Sequence, residues 1–301
     1  MQNTRRIQTL FQRNIEFIIN LTTNHQATLN WMREQELLPN IRRCCGGTCG
    51  IYRNTRSIDG EMFRCGTCRR KYNIRGGTLW EDFRRIPLVL LVRLVFHHFV
   101  NGNSAKRAHV SLAEAGLHIG YVTLKRVYKR VRSGIESYMF NEVYRNLMRG
   151  RIQIDEALFT HRSGPGRRGF RQVWVVGMLE ERSSEAYCFV VRNRNHASIN
   201  QIIRTHVLPG AYIIHDGWGG YRRIPREYQH HRYTHDPNDR DNTSRIEGVW
   251  GELRAFIRNI YSAGVVEGNV NSIIQELVFR RRCRELNLGL RDALVEALVR
   301  N

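Results

Sequence analysis

Arg151-Ile-Gln-Ile-Asp155-Glu156-Ala-Leu-Phe159 alternates apolar and polar residues with the period of a half-buried strand, and it sets a carboxylate late in that strand. Downstream lies a basic turn, Ser163-Gly-Pro-Gly-Arg167-Arg168-Gly169, followed by Arg171. Two more apolar runs, Gln172 to Leu179 and Ala186 to Val191, read as strands. A helix is predicted over Ala197 to Val207, and Pro209-Gly210 breaks it before a fourth strand, Ala211 to His215, which ends at Asp216-Gly217. After Tyr228 to Tyr233 and a polar loop, Thr234 to Asp241, Asn242 and Thr243 are caps for a helix from Ser244 to about Ile260.

A three-strand meander, a crossover helix, a fourth strand and then helices on the faces is the order of an RNase H-like α/β domain. In that order Asp155, Asp216 and Glu247 converge: one acid late in the first strand, one just past the fourth, one inside the following helix. Such a trio can hold two divalent metals about 4 Å apart, and hard carboxylate oxygens select Mg²⁺ or Mn²⁺. Both aspartates follow apolar strands, which favours buried chemistry over turn capping. Glu156 points to the opposite face of a regular strand and is the weaker ligand candidate. His230, His231 and His235 lie between the second and third acids; His235 is a candidate for a residue that supports the site from behind, against the plainer reading of packing or surface histidines.

Upstream, five of seven cysteines fall between residues 44 and 68: Cys44-Cys45-Gly-Gly-Thr-Cys49-Gly, then Cys65-Gly-Thr-Cys68. Two thiolate pairs at this separation close a structural, tetrahedral Zn²⁺ site across two knuckles. Cys65 and Cys68 form a regular knuckle. The first is irregular: Cys45 with Cys49 fits the ligand spacing, and Cys44 competes with Cys45. A short hairpin is expected between the pairs, with Asp59-Gly60 at its tip. The odd cysteine count argues against a disulfide cluster. Beyond the ribbon, helices are expected over Pro87 to Phe99, Ala105 to Ala115 and Val122 to Tyr138. The last two, joined by a glycine-containing turn, have the pattern of a helix-turn-helix. Lys125, Arg126, Lys129 and Arg130 lie off the apolar face of the second helix, as nucleic-acid contacts or as a solvated face. The basic turn residues Arg167, Arg168 and Arg171 are further DNA-contact candidates.

The formal charge of the 301 residues is +21. Residues 1–150 hold 25 Lys and Arg against 10 Asp and Glu, and residues 151–301 hold 23 against 17. The excess therefore sits mostly on the half that carries the ribbon, as expected for a grip on a polyanion. Apolar residues at 42% exclude a wholly disordered chain. The longest apolar stretch, Ile86 to Val100, is short and carries Arg93, so no membrane partner is expected, and no secretory signal is read at the N-terminus. The expected organisation is an N-terminal helical segment (1–40), a zinc ribbon (41–80), a helix-turn-helix-like region (81–148) and an RNase H-like catalytic domain with C-terminal helices (149–301).

Further motifs carry a family resemblance. Ile154-Asp155-Glu156 with Phe159, Trp174-Val-Val-Gly177-Met, His206-Val-Leu-Pro-Gly210 and His215-Asp216-Gly217-Trp218 with Tyr221 belong to it. So do Asn242-Thr243 with Arg245-Ile246-Glu247-Gly248 and Trp250, and Gln275-Glu276 with Phe279-Arg280. Together these make the chain similar to Merlin-type DDE transposases and to the bacterial insertion-sequence transposases that share a zinc ribbon and an RNase H-like domain. The resemblance spans about 40 to 285. It implies cut-and-paste DNA transposition, in which ends are nicked by water and the freed 3′-hydroxyl attacks target DNA. It also implies Asp155, Asp216 and Glu247 as the metal-binding triad. The sequence departs from the family at the first knuckle, where Cys-x2-Cys-Gly is usual and an extra residue stands here.

The expected cofactors are two Mg²⁺ (or Mn²⁺) per active site and one structural Zn²⁺. The expected partners are double-stranded DNA, as terminal inverted repeats and as target, and a second copy of the chain in a homodimer or higher oligomer. The compartment would be the nucleus in a eukaryotic host and the cytoplasm or nucleoid in a bacterial one. Competing readings are a domesticated DNA-binding protein that no longer cuts, and an RNase H-like nuclease without strand transfer.

Overall fold

The computed structural model describes residues 14–162, 170–234, 239, 241–261 and 269–300. Two helices open it, α1 over 14–21 and α2 over His25–Glu34. The break between them falls at Asn24, whose side chain accepts the Ala27 N–H at 2.9 Å and so caps α2. Four antiparallel strands follow in sequence order: β1 (Arg42–Cys44), β2 (Gly47–Arg53), β3 (Glu61–Cys65) and β4 (Lys71–Asn73). The β2–β3 connection carries Asp59, as expected, but Asp59 is not a solvated tip residue. Its side chain is fully buried against the equally buried Arg75, whose Nε donates to Asp59 Oδ2 at 2.7 Å. Arg75 also donates to the carbonyls of Phe83 (2.8 Å) and Ile86 (2.7 Å), so one guanidinium ties the ribbon to the segment that follows it.

Helix α3 (Leu88–Val92) runs on into a π-helical turn, Arg93–Phe99. Ser104 caps α4 (Ala105–Glu114), and α5 spans Tyr121–Tyr138. Leu124, Val127, Val131 and Ile135 of α5 are buried, as the 3.6-residue period requires. The chain divides into two compact units, one reaching to Val131 with Leu294–Arg300 added, the other comprising Arg132–Ala293.

The second unit is built on a five-stranded sheet. Its strands are β5 (Arg151–Arg162), β6 (Phe170–Glu180), β7 (Ala186–Val191), β8 (Tyr212–His215) and β9 (Gln229–Arg232), in the order β7-β6-β5-β8-β9. β6 is antiparallel to β5 and β7, whereas β8 pairs parallel to both β5 and β9. Helix α6 (His196–His206) makes the crossover from β7 to β8. The order and directions are those of the RNase H fold expected from the strand pattern. Helix α7 (Ser244–Ile260) contacts β5 and β6, and α8 (Val270–Glu285) contacts β7. The last helix, α9, spans Leu290–Val299.

Helix α8 is buried on almost every side, including Gln275 and Glu276. Gln275 donates to the Cys188 carbonyl at 2.8 Å and accepts the Tyr144 hydroxyl at 2.5 Å. Glu276 accepts from Arg132 (2.6 Å) and Arg280 (2.8 Å), whose charges hold its carboxyl below the usual range against the effect of burial. The Arg280-Arg281-Arg282 run with Arg284 is likewise engaged internally, with Glu276, Glu252, Glu185 and Glu285. No helix among the described residues is long and apolar enough to cross a membrane.

Candidate active site

Parallel pairing of β5 with β8 sets Gln153 beside Ile214. Asp155 and Asp216 each lie two residues further along the chain, so the pairing brings the two acids to equal depth. Asp216 stands just past the end of β8; Asp155 stands not late in its strand, as expected, but within β5, which runs on to Arg162 through its pairing with β6. The third acid, Glu247, arrives in the first turn of α7. What docks that turn on the sheet is Gln153, almost fully buried, whose Oε1 accepts the backbone N–H groups of Arg245 and Ile246, each at 3.1 Å. Thr243 Oγ1 donates to Glu247 Oε1 at 2.9 Å and directs that carboxylate.

Each aspartate is oriented by a donor. Trp250, one turn on from Glu247 in α7, donates its indole N–H to Asp155 Oδ2 at 2.8 Å. The Trp218 backbone N–H donates to Asp216 Oδ1 at 2.9 Å, closing an Asx turn. Burial raises the Asp155 pKa, and the negative charges of Asp216 and Glu247 add to that rise against the Trp250 bond. The three carboxylates therefore sense one another, a repulsion that a divalent cation would relieve. They do not all come within 4.8 Å of one another; among the described residues the cysteine cluster alone does so.

The space for Trp250 comes from Gly177, which sits opposite Asp155 on β6. A Cβ at Gly177 would lie 2.4 Å from Trp250 Cη2 and 3.0 Å from Ile246 Cδ1, well inside contact distance. Gly177→Ala is expected to cost about 1–3 kcal/mol by overpacking. It should lower any activity of the site more than stability alone explains, because the displaced indole is the one that orients Asp155; chemical denaturation run beside an activity assay checks this.

On the other face of β5, burial pushes the Glu156 carboxyl up to about 7, with the fully buried Tyr221 beside it. His215, buried at the end of β8, stacks on Tyr221 with centroids 4.8 Å apart. Its Nδ1 accepts the Gly217 N–H at 3.0 Å, so the proton sits on Nε2, which donates to His230 Nδ1 at 3.2 Å. Burial and the neighbouring His230 push the His215 pKa down to about 4, so the imidazole is neutral at physiological pH. His231 pairs with Asp239 at 2.9 Å. His235, Arg167 and Arg168 lie outside the described residues. Arg171 is exposed on β6. On α5, Lys125, Arg126 and Lys129 are exposed, while Arg130 lies 3.4 Å from Asp82.

In the ribbon, the sulfurs of Cys44, Cys45, Cys65 and Cys68 all lie within 4.8 Å of one another. The expected set of Cys45, Cys49, Cys65 and Cys68 differs from this group by one member. The reason is the tightness of the first knuckle: Cys44 pairs with Gly47, and Cys45 (φ 51°) and Gly46 (φ 76°) make the left-handed turn between them, so both adjacent thiols face the second knuckle. Cys49 is buried on β2 opposite Cys65. At the second knuckle the Cys68 and Thr67 backbone N–H groups point at Cys65 Sγ and lower its pKa to about 6, a donor arrangement suited to a thiolate ligand. This chemistry fits a structural Zn²⁺. Metal analysis should find about one zinc per chain, and Cys65→Ser or Cys68→Ser should lose it together with the ribbon fold, because zinc binding in small domains is folding free energy of about 10–16 kcal/mol.

Sequence reasoning alone did not find Gln153, Thr243 and Trp250 as the residues that hold the acids. Gly177 was the available signal: a glycine inside an apolar strand marks a close approach of another group.

Residues 147–282 match the family of ISXO2-like transposase domains. No curated protein matches the chain. Among solved structures, the HTLV-2 integrase catalytic core domain in complex with magnesium (dimeric form) is 8% identical, with a TM-score of 0.30 over 44% of this chain and 84% of that one. A simian T-cell lymphotropic virus intasome in complex with PP2A regulatory subunit B56 gamma is 10% identical, with a TM-score of 0.35 over 62% of this chain and 67% of that one. Residues 147–282 of this chain are thus similar to ISXO2-like transposase domains, and Asp155, Asp216 and Glu247 all fall within the matched stretch, which contains the five-stranded sheet and the first turn of α7.

Proposed function

We propose that the chain is a DNA transposase that cleaves transposon ends and joins the freed 3′-hydroxyl to target DNA, with Asp155, Asp216 and Glu247 as its catalytic acids. The observation that carries this reading is the equal depth of Asp155 and Asp216 on adjacent parallel strands, with Glu247 delivered by a helix docked through Gln153. Three acids so placed, one of them with its pKa raised by burial and further by the other two, are costly for a fold unless they serve a cation. They would hold Mg²⁺ or Mn²⁺, two per site, and bound there the metal supplies positive charge to the attacking and leaving oxygens of the scissile phosphate. Trp250, Thr243 and the Trp218 N–H keep the carboxylate oxygens aimed while DNA enters.

The exposed Lys125, Arg126 and Lys129 on α5, preceded by α4 and a short turn, would grip terminal inverted repeats as the second helix of a helix-turn-helix. Arg130, tied to Asp82, contributes less. Arg171 would meet DNA beside the catalytic sheet. The active form would be a homodimer or higher oligomer that brings two ends together. Its compartment would be the nucleus in a eukaryotic host, or the cytoplasm or nucleoid in a bacterial one.

The test is a strand-transfer assay with a labelled fragment carrying the repeats that flank the coding sequence. The wild-type chain should give joined products in Mg²⁺ and none without a divalent ion, and Asp216→Asn should lower the rate at least about 10³-fold. Binding without cleavage would point instead to a domesticated DNA-binding protein, and cleavage without joining to a nuclease.

A further inference from the structure

Arg194 lies in the short segment between β7 and α6, and its guanidinium lies over two indoles. Its Cζ is 3.9 Å from the Trp174 ring centroid and 4.4 Å from that of Trp218. Trp174 projects from β6 on the same face as Glu156, since Val176 pairs with Glu156 and Trp174 with Leu158. Trp218 belongs to the turn that follows β8, and its backbone N–H is the one that holds Asp216 Oδ1. The indole of Trp218 is seated over Gly220, where a Cβ would come within 1.8 Å of Cζ3, and it meets Tyr221 edge-on at 6.1 Å. The clamp is therefore fixed to the same turn that aims the second catalytic acid.

The guanidinium lies over two indole rings, but its N–H groups are not used. Among the described residues Arg194 makes no hydrogen bond or ion pair, in contrast to Arg204, bonded to Glu227, and Arg245, bonded to the Glu181 carbonyl and Ser184. Its charge is felt by Glu156, the neighbour of Asp155 on the other face of β5, where it is the cation that opposes the rise of the carboxyl. A guanidinium held against two indoles with its N–H groups free is preset for bidentate recognition of a phosphate. A site made of acids repels the DNA backbone, and a cation fixed to the Asp216 turn, on the face of β5 opposite Asp155, offsets that repulsion where the backbone runs past the strand end.

We propose that Arg194 is a DNA-phosphate-binding residue of this site, preorganised by Trp174 and Trp218. The inference rests on the reading of Asp155, Asp216 and Glu247 as a phosphoryl-transfer centre, and it adds the group that holds the substrate backbone there.

The test uses the full, zinc-loaded chain and the variants Arg194→Met, which removes the charge from an unbranched side chain, and Arg194→Lys. Affinity for a random-sequence duplex is measured against NaCl concentration in Ca²⁺, and Mn²⁺ binding without DNA is measured by calorimetry. For Arg194→Met the slope of log K against log salt should shrink by about 0.9, the value for one phosphate contact, and Mn²⁺ affinity should stay within about twofold. Arg194→Lys should recover the slope, because its charge remains. If Arg194→Met melts early, Arg194→Gln carries the same comparison. An unchanged slope in the charge-removing variant overturns the proposal. So does a loss of Mn²⁺ affinity at unchanged slope, which would make Arg194 a brace for Asp216 instead. The slope needs no catalysis, so it is read independently of whether Asp216→Asn abolishes strand transfer.

Discussion

Asp155→Asn is expected to abolish metal-dependent DNA cleavage, by about 10³-fold or more, and at the same time to make the chain more stable when Mg²⁺ and Mn²⁺ are absent. The two effects have one origin. Asp155 is half-buried and faces the charges of Asp216 and Glu247, which is why its pKa lies above the ordinary value. A carboxyl with a raised folded-state pKa holds its proton more tightly folded than unfolded, so above that folded pKa its ionisation works against folding. The penalty is fully present at neutral pH and disappears as the pH falls through the folded pKa towards the unfolded one. Asparagine removes the charge and keeps an oxygen to accept the Trp250 N–H, so the substitution should leave the surrounding packing intact. Thermal melting without Mg²⁺ or Mn²⁺ but with zinc retained should show a higher midpoint for the variant at pH 7 and a shrinking difference under acid. A variant that cleaves at the wild-type rate, or melts lower at pH 7, contradicts this account.

Arg75→Ala should be the most damaging single change in the first unit, at about 3–5 kcal/mol. The truncation leaves the Asp59 carboxylate buried without its partner, and it strips the Phe83 and Ile86 carbonyls of their donor. Replacing both members of the pair, as in Asp59→Leu with Arg75→Met, should cost less than Arg75→Ala alone, because no buried charge then remains. Urea titration resolves the difference: with a slope of about 1–3 kcal/mol per molar, the single variant should lose on the order of 2 M in midpoint. Equal losses for the single and double variants would mean that packing, not the charge pair, governs this node.

These two sites differ in how far the sequence announced them. Asp155 and Asp216 were legible because each directly follows apolar strand residues, Ile154 for the first and Ile213-Ile214 with His215 for the second, and Glu247 because Asn242 and Thr243 signal a helix start just before it. Their juxtaposition then follows from strand order alone. The contacts that aim them were not legible, because they join residues about 90 positions apart: Gln153 to Arg245 and Ile246, and Asp155 to Trp250. Strand β9, Gln-His-His-Arg, has no apolar alternation and exists through its pairing with β8. Asp59 looked like a turn residue since Asp-Gly usually is one, and only the fold brings Arg75 against it. In the ribbon the spacing pointed to zinc, but two adjacent thiols, Cys44 and Cys45, could be ordered only by the left-handed turn at Cys45 and Gly46. Gln275 and Glu276 entered only as part of the family resemblance, and the structure gives them a role as buried ties for α8.

The central claim is that Asp155, Asp216 and Glu247 form a divalent-metal site, and anomalous diffraction from Mn²⁺-soaked crystals of the zinc-loaded chain addresses it most directly. The account predicts manganese peaks in contact with carboxylate oxygens of all three residues, lost in Asp216→Asn. Manganese bound elsewhere, or no peak at these acids at a concentration that supports strand transfer, would contradict it.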